Sequence, residues 1–209
     1  MSESRGAADM LAEIAEEVKK CTLCELFRTA TNAVPGEGNP EASVMFIGEA
    51  PGWHEDKQGK PFVGNSGKFL SELIESAGLS RDDVFITNIV KHRPPGNRDP
   101  LPDEIAACAG YLERQIAAID PDVIVTLGRH SMNRYFPGER ISKIHGKAKR
   151  IGTRLVVPMY HPAAALHNGA LRSTIEDDFK QLPRFLAQQE TERDKRRQEE
   201  ERPEQGSLF

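Results

Sequence analysis

Four short, predominantly apolar runs are spaced along the chain: Val44-Met45-Phe46-Ile47-Gly48, Val84-Phe85-Ile86-Thr87-Asn88, Val123-Ile124-Val125-Thr126-Leu127-Gly128 and Leu155-Val156-Val157-Pro158-Met159-Tyr160. None alternates strictly between apolar and polar positions, so each reads as a strand covered on both faces, as in a parallel sheet. The stretches around them carry helical spacing instead. Ala8–Lys20 sets Leu11, Ile14, Ala15 and Val18 on one stripe, Ser66–Ala77 follows a cap at Asn65-Ser66, and Pro102–Ala118 opens with a proline and two acids suited to a helix N-terminus. A last helix is expected over Ser173–Gln188, with a kink at Pro183. Strands alternating with helices predict an α/β fold, a three-layer αβα sandwich with a short, mostly parallel four-stranded sheet.

Residues 190–204 break this pattern, with seven acidic and five basic side chains and nothing aliphatic or aromatic. Such a stretch buries too little apolar surface to offset its ordering entropy, so it reads as a charged flexible linker after one domain over residues 1–189, a single charged helix extending the preceding one being the alternative. A chain of 209 residues suits one domain of this class. No run approaches the roughly 18 apolar residues of a membrane span, and no basic-then-apolar leader opens the sequence. A cytoplasmic monomer with no membrane association is therefore expected.

The balance of 28 basic against 32 acidic residues, net −4, is not that of a general nucleic-acid binder. Its distribution is uneven, however. Between Gly128 and Arg154 stand eight basic residues, Arg129, Arg134, Arg140, Lys143, Lys147, Lys149, Arg150 and Arg154, against one acid, Glu139. Taken alone, that block is as compatible with a solvated face as with a phosphate-binding one. Three cysteines in a cytosolic chain, two of them spaced Cys21-x-x-Cys24, argue for metal or catalysis rather than a disulfide framework.

The richest stretch is Gly48–Gly64, which follows the first strand. In open α/β sheets the ligand crevice lies beyond the carboxyl ends of the strands, and this loop brings Glu49, Glu55 and Phe62 there. Asn88 and His161 close two other strands.

Gly48-Glu49-Ala50-Pro51-Gly52 with Glu55-Asp56, then Gly59-x-Pro61-Phe62-Val63-Gly64, then Thr87-Asn88-Ile89-Val90-Lys91, then His161-Pro162-Ala163 resemble, in order and spacing, the family 4 uracil-DNA glycosylases, the iron–sulfur branch of their superfamily. The resemblance implies hydrolysis of the N-glycosidic bond of uracil flipped out of single- or double-stranded DNA, leaving an abasic site. It makes Glu49 and His161 the catalytic residues: Glu49 as the carboxylate for the sugar cation or its water, His161 as the donor to uracil O2. Ala50 stands where another branch has aspartate, Glu55 crowds uracil C5, Phe62 stacks on the base and Asn88 reads its edge. Gly64, Ser66, Lys143 and Lys147 are the implied phosphate contacts, and Leu166 the wedge that fills the vacated stack.

The same resemblance implies a [4Fe-4S] cluster on Cys21, Cys24, His92 and Cys108. His92 is a departure, since the family commonly has cysteine there, but the separation His92-x15-Cys108 matches and histidine does replace cysteine at some iron–sulfur centres. On ligand types alone, Cys3His zinc fits equally well. A related branch that also carries histidine at the position of His92 traps uracil-DNA covalently through another histidine in an inserted basic loop. Arg93–Ala107 holds neither insertion nor histidine, which disfavours trapping. Finally, Gln205-Gly206-Ser207-Leu208-Phe209 resembles sliding-clamp peptides and implies the replication clamp as a partner.

Overall fold

The computed structural model describes residues 6–200. In chain order its main elements are α1 (Ala7–Lys19), β1 (Glu37–Gly38), β2 (Val44–Gly48), α2 (Trp53–Gln58), α3 (Asn65–Ser76), β3 (Phe85–Asn88), α4 (Pro102–Ile119) and β4 (Val123–Leu127). There follow α5 (Arg129–Asn133), α6 (Ile141–Ile144), β5 (Lys149–Ile151), β6 (Arg154–Met159), α7 (Ala163–His167), α8 (Leu171–Phe179) and α9 (Leu182–Glu200).

The four expected strands form the parallel centre of the sheet, but the sheet has six strands in the order β1-β3-β2-β4-β6-β5, not four. Both additions are antiparallel edges. Glu37-Gly38 pairs with β3, and Lys149–Ile151 folds onto β6 through a two-residue turn at Gly152-Thr153, where Gly152 takes φ of +61°. Neither carries an apolar run, because an edge strand buries little and is too short to show a period.

Successive residues of the central strands serve opposite faces. Val44 and Phe46 of β2 join Leu70, Leu73 and Phe179 in one core, with Phe46 and Phe179 stacked at 5.8 Å. Met45 and Ile47 join Leu112, Ile124 and Met132 in the other. Both faces being covered, the strands read as unbroken apolar runs and three layers result.

Three helical expectations are corrected. α3 begins at Asn65 with Gly64 as N-cap, and no side chain caps it, so Asn65-Ser66 lies within its first turn. The single final helix is two, α8 and α9, with the break at Lys180-Gln181; Pro183 falls in the first turn of α9, where a missing N–H costs nothing. The segment read as a linker continues α9 as far as Glu200, being rich in the helix formers Glu, Lys, Arg and Gln. Gln189, 1% exposed, anchors that helix by donating to the carbonyls of Asp122 and Thr153. The remaining residues 201–204 and the clamp-like peptide Gln205–Phe209 lie outside the described residues. No described helix is long and apolar enough to cross a membrane.

Candidate active site

A pocket of about 550 Å³ opens beyond the carboxyl ends of β2, β3 and β6. Its wall unites Glu49, Ala50, Glu55, Phe62, Ser66, Asn88 and His161, seven residues expected from the sequence. Gly64 adjoins it as the N-cap of α3, whereas Leu166, Lys143 and Lys147 lie outside the wall.

The wall is held close. A Cβ on Gly48 would stand 2.3 Å from Asn88 Oδ1 and 2.7 Å from Phe62 Cζ, so glycine is needed where β2 ends. Phe62 takes φ of +51°, rare for an aromatic residue, and its ring stacks on His161 with centroids 5.5 Å apart. Two contacts impose that conformation: the Arg81 guanidinium donates to the Phe62 carbonyl, and Gly67 lies so near that a Cβ would fall 1.9 Å from the same oxygen. Glu55, buried, accepts from the N–H groups of Val63 and Gly64 at 2.9 and 2.8 Å, and so fixes the turn that presents Phe62.

Asn88 is 2% exposed and its Oδ1 has no hydrogen-bond partner. Behind it lies Lys91, whose Nζ donates to Thr87 Oγ1, to the Asn88 carbonyl and to Gln115 Oε1 at 2.6, 2.9 and 2.7 Å. Three acceptors match the three protons of an ammonium. Burial nonetheless pulls Lys91 down to about 7. Its network braces the end of β3 against α4, and nothing in a Val-Lys-His tripeptide announces a buried lysine.

His161 Nδ1 accepts from the Ala163 N–H at 3.1 Å, which places the ring proton on Nε2. Desolvation brings this imidazole down to about 4, against a smaller opposing pull from Glu55. Glu49 moves the other way, above the usual carboxylate range, chiefly by burial. Two residues missed in the sequence accompany it. His130 Nε2, just past β4, lies 3.8 Å from Glu49 and 3.4 Å from Asp99, which also lines the pocket. Asp99 pairs with Arg129, whose Nε also donates to His130 Nε2. Gly-Arg-His after a strand end was the available signal.

Elsewhere, Cys21 and Cys108 are buried and Cys24 is half-buried, and the three thiols lie within electrostatic reach of one another. Burial pushes the Cys108 thiol up to about 11, so a thiolate there calls for a bound cation. His92 is buried, shares a cavity wall with Cys21, and its Nδ1 has no hydrogen-bond partner. Three soft donors and an orphaned imidazole nitrogen fit a metal group.

The basic block divides. Arg129, Arg134, Arg150 and Arg154 pair with Asp99, Glu113, Glu192 and Asp120. Arg140, Lys143, Lys147 and Lys149 have no acidic partner among the described residues, and all four are exposed. Leu166 is 51% exposed on α7.

The model of the uracil DNA glycosylase superfamily matches residues 35–184. A type-4 uracil-DNA glycosylase of Sulfurisphaera tokodaii is 54% identical over 187 residues, 83% of this chain and 84% of that protein. One of Saccharolobus solfataricus is 53% identical over 189 residues, 86% and 88% of the two chains. One of Thermotoga maritima is 42% identical over 183 residues, 85% and 95% of the two chains.

Proposed function

The chain belongs to the uracil-DNA glycosylase superfamily, and from that premise we propose that it removes uracil from DNA by cleaving the N-glycosidic bond. The observation that carries the reading is the convergence of Glu49, Phe62, Asn88 and His161 on one pocket from separate strand ends. Uracil is buried within a duplex stack, so it must be extruded into such a pocket before its bond can be reached.

Each residue has a task the chemistry requires. Phe62 offers a stacking face. The unpartnered Asn88 Oδ1 accepts from uracil N3–H while the amide donates to O4; cytosine offers an amino group and a bare N3 there, so both bonds are mismatched. Bond cleavage leaves positive charge on the sugar and negative charge on uracil. Glu49 faces the first, stabilising the cation or orienting water, and the Nε2–H of neutral His161 faces the second at O2. Gly64 and Ser66 at the start of α3, with Lys143 and Lys147, take phosphates. Leu166 fills the gap in the stack. Asn88→Asp is expected to abolish uracil excision and admit slight cytosine excision; a variant with the full uracil rate would make another residue the reader.

A [4Fe-4S] cluster on Cys21, Cys24, His92 and Cys108 would serve structurally, tying the end of α1 and the loop after β3 to α4. Tetrahedral zinc would fit the same three thiols and imidazole by donor type, and the resemblance to the iron–sulfur branch is what favours the cluster. Anaerobically purified protein should absorb near roughly 400 nm; colourless protein with stoichiometric zinc is the opposing result.

The deciding assay for the function is incubation with a uracil-containing oligonucleotide followed by alkali. Free uracil and a cut strand are expected. An SDS-stable protein–DNA band would instead favour covalent trapping.

A further inference from the structure

Trp53 is the single tryptophan of the chain and 49% exposed, and neither the pocket nor the core uses it. It opens α2 directly after Gly52, which lines the pocket. Its ring meets that of His54 edge to face at 4.9 Å. His54 in turn packs against Gly64, where a Cβ would stand 3.3 Å from the imidazole. Through His54 the indole is thus tied to the Gly64 turn that opens α3, and through Gly52 it adjoins the pocket lining in sequence.

We propose that Trp53 is a stacking platform for the unpaired nucleobase that neighbours the extruded uracil on the same strand. The inference rests on the uracil-excision reading and adds to it a second base subsite. A strand whose uracil enters the pocket and whose phosphate meets the start of α3 runs beside the Gly52–Gly64 segment that carries α2. An aromatic face on that path accepts any base, since every base offers a π surface, and it does so best where no partner strand competes for the base. Trp53 stands beside the lining residue Gly52 and Leu166 beside the lining residue His167, so these two of the four large exposed apolar side chains among the described residues adjoin the pocket lining in sequence from different segments. They suit different tasks, a wedge into a duplex and a platform for a single strand.

Because no other tryptophan is present, intrinsic fluorescence reads the stack directly. The probe is a single-stranded oligonucleotide carrying 2′-fluoro-arabino-uridine, which resists cleavage of the glycosidic bond. Binding is expected to quench the emission, and a second oligonucleotide with abasic residues on both sides of the uridine is expected to bind without quenching. In turnover on ordinary single-stranded uracil DNA, Trp53→Ala should raise KM about tenfold with kcat within about twofold, and Trp53→Phe should recover most of the loss. Equal quenching by the abasic-flanked probe, or an unchanged KM in Trp53→Ala, overturns the platform while leaving excision standing. Wild-type protein that releases no uracil from any strand removes the glycosylase reading itself, and the subsite with it.

Discussion

Glu49→Gln is expected to lower kcat by about two orders of magnitude or more while DNA affinity changes little, by the measure of single groups that stabilise transition-state charge. The replacement keeps size and one acceptor oxygen, while it removes the negative charge and exchanges the second oxygen for an amide donor. If the carboxylate acts on the sugar cation, its contribution exists in the transition state and not in the bound ground state, so the loss falls on kcat rather than KM. Burial holds the Glu49 carboxyl above its ordinary range, with His130 opposing that shift and Asp99 reinforcing it. The ionised form is therefore lost at a higher pH than for an exposed glutamate, and the wild-type rate should show an acid limb above the usual carboxylate range. In Glu49→Gln that limb should vanish along with most of the rate. Equal activity in the two proteins would sink the charge argument.

The central strands and the pocket were legible from local pattern because each depends on it. An apolar run of five or six residues covered on both faces has few other solutions, and a Gly-Pro loop beyond such a run marks the crevice of an α/β sheet. Glu49 stands in the loop that ends such a run, whereas Asn88 and His161, also at strand ends, drew their expected roles from the resemblance. What escaped has a tertiary cause. The edge strands Glu37-Gly38 and Lys149–Ile151 owe their form to a neighbour's open hydrogen bonds rather than to their own side chains. The left-handed Phe62 is imposed by Arg81 and Gly67 from elsewhere in the chain. Lys91, Asp99 and His130 became visible only once β3, β4 and the loop after β3 were placed together. The basic block was overcounted for the same reason, as four of its arginines are neutralised by acids that are mostly remote in sequence.

His161→Ala is the second large effect expected, again about two orders of magnitude in kcat with affinity nearly kept. Its pH behaviour separates it from Glu49. Desolvation lowers this imidazole from 6.5 to about 4, below the raised Glu49 carboxyl, so it remains neutral throughout the pH range in which Glu49 is ionised. It then donates through Nε2–H as a neutral group, and its own titration does not shape the acid limb. His161→Ala should accordingly be slow at every pH yet keep the wild-type limb, whereas an imidazolium donor would give a rate that rises on acidification and a limb that changes in the variant. The same shift has a consequence for stability. Between pH 6.5 and about 4 the unfolded chain binds a proton at this histidine that the folded chain refuses, so acidification through that window destabilises the fold. Removing the imidazole removes that contribution. Thermal unfolding followed from pH 7 to pH 4 should show a smaller loss of Tm in His161→Ala than in the wild type, and identical slopes would mean that the imidazole is not held neutral.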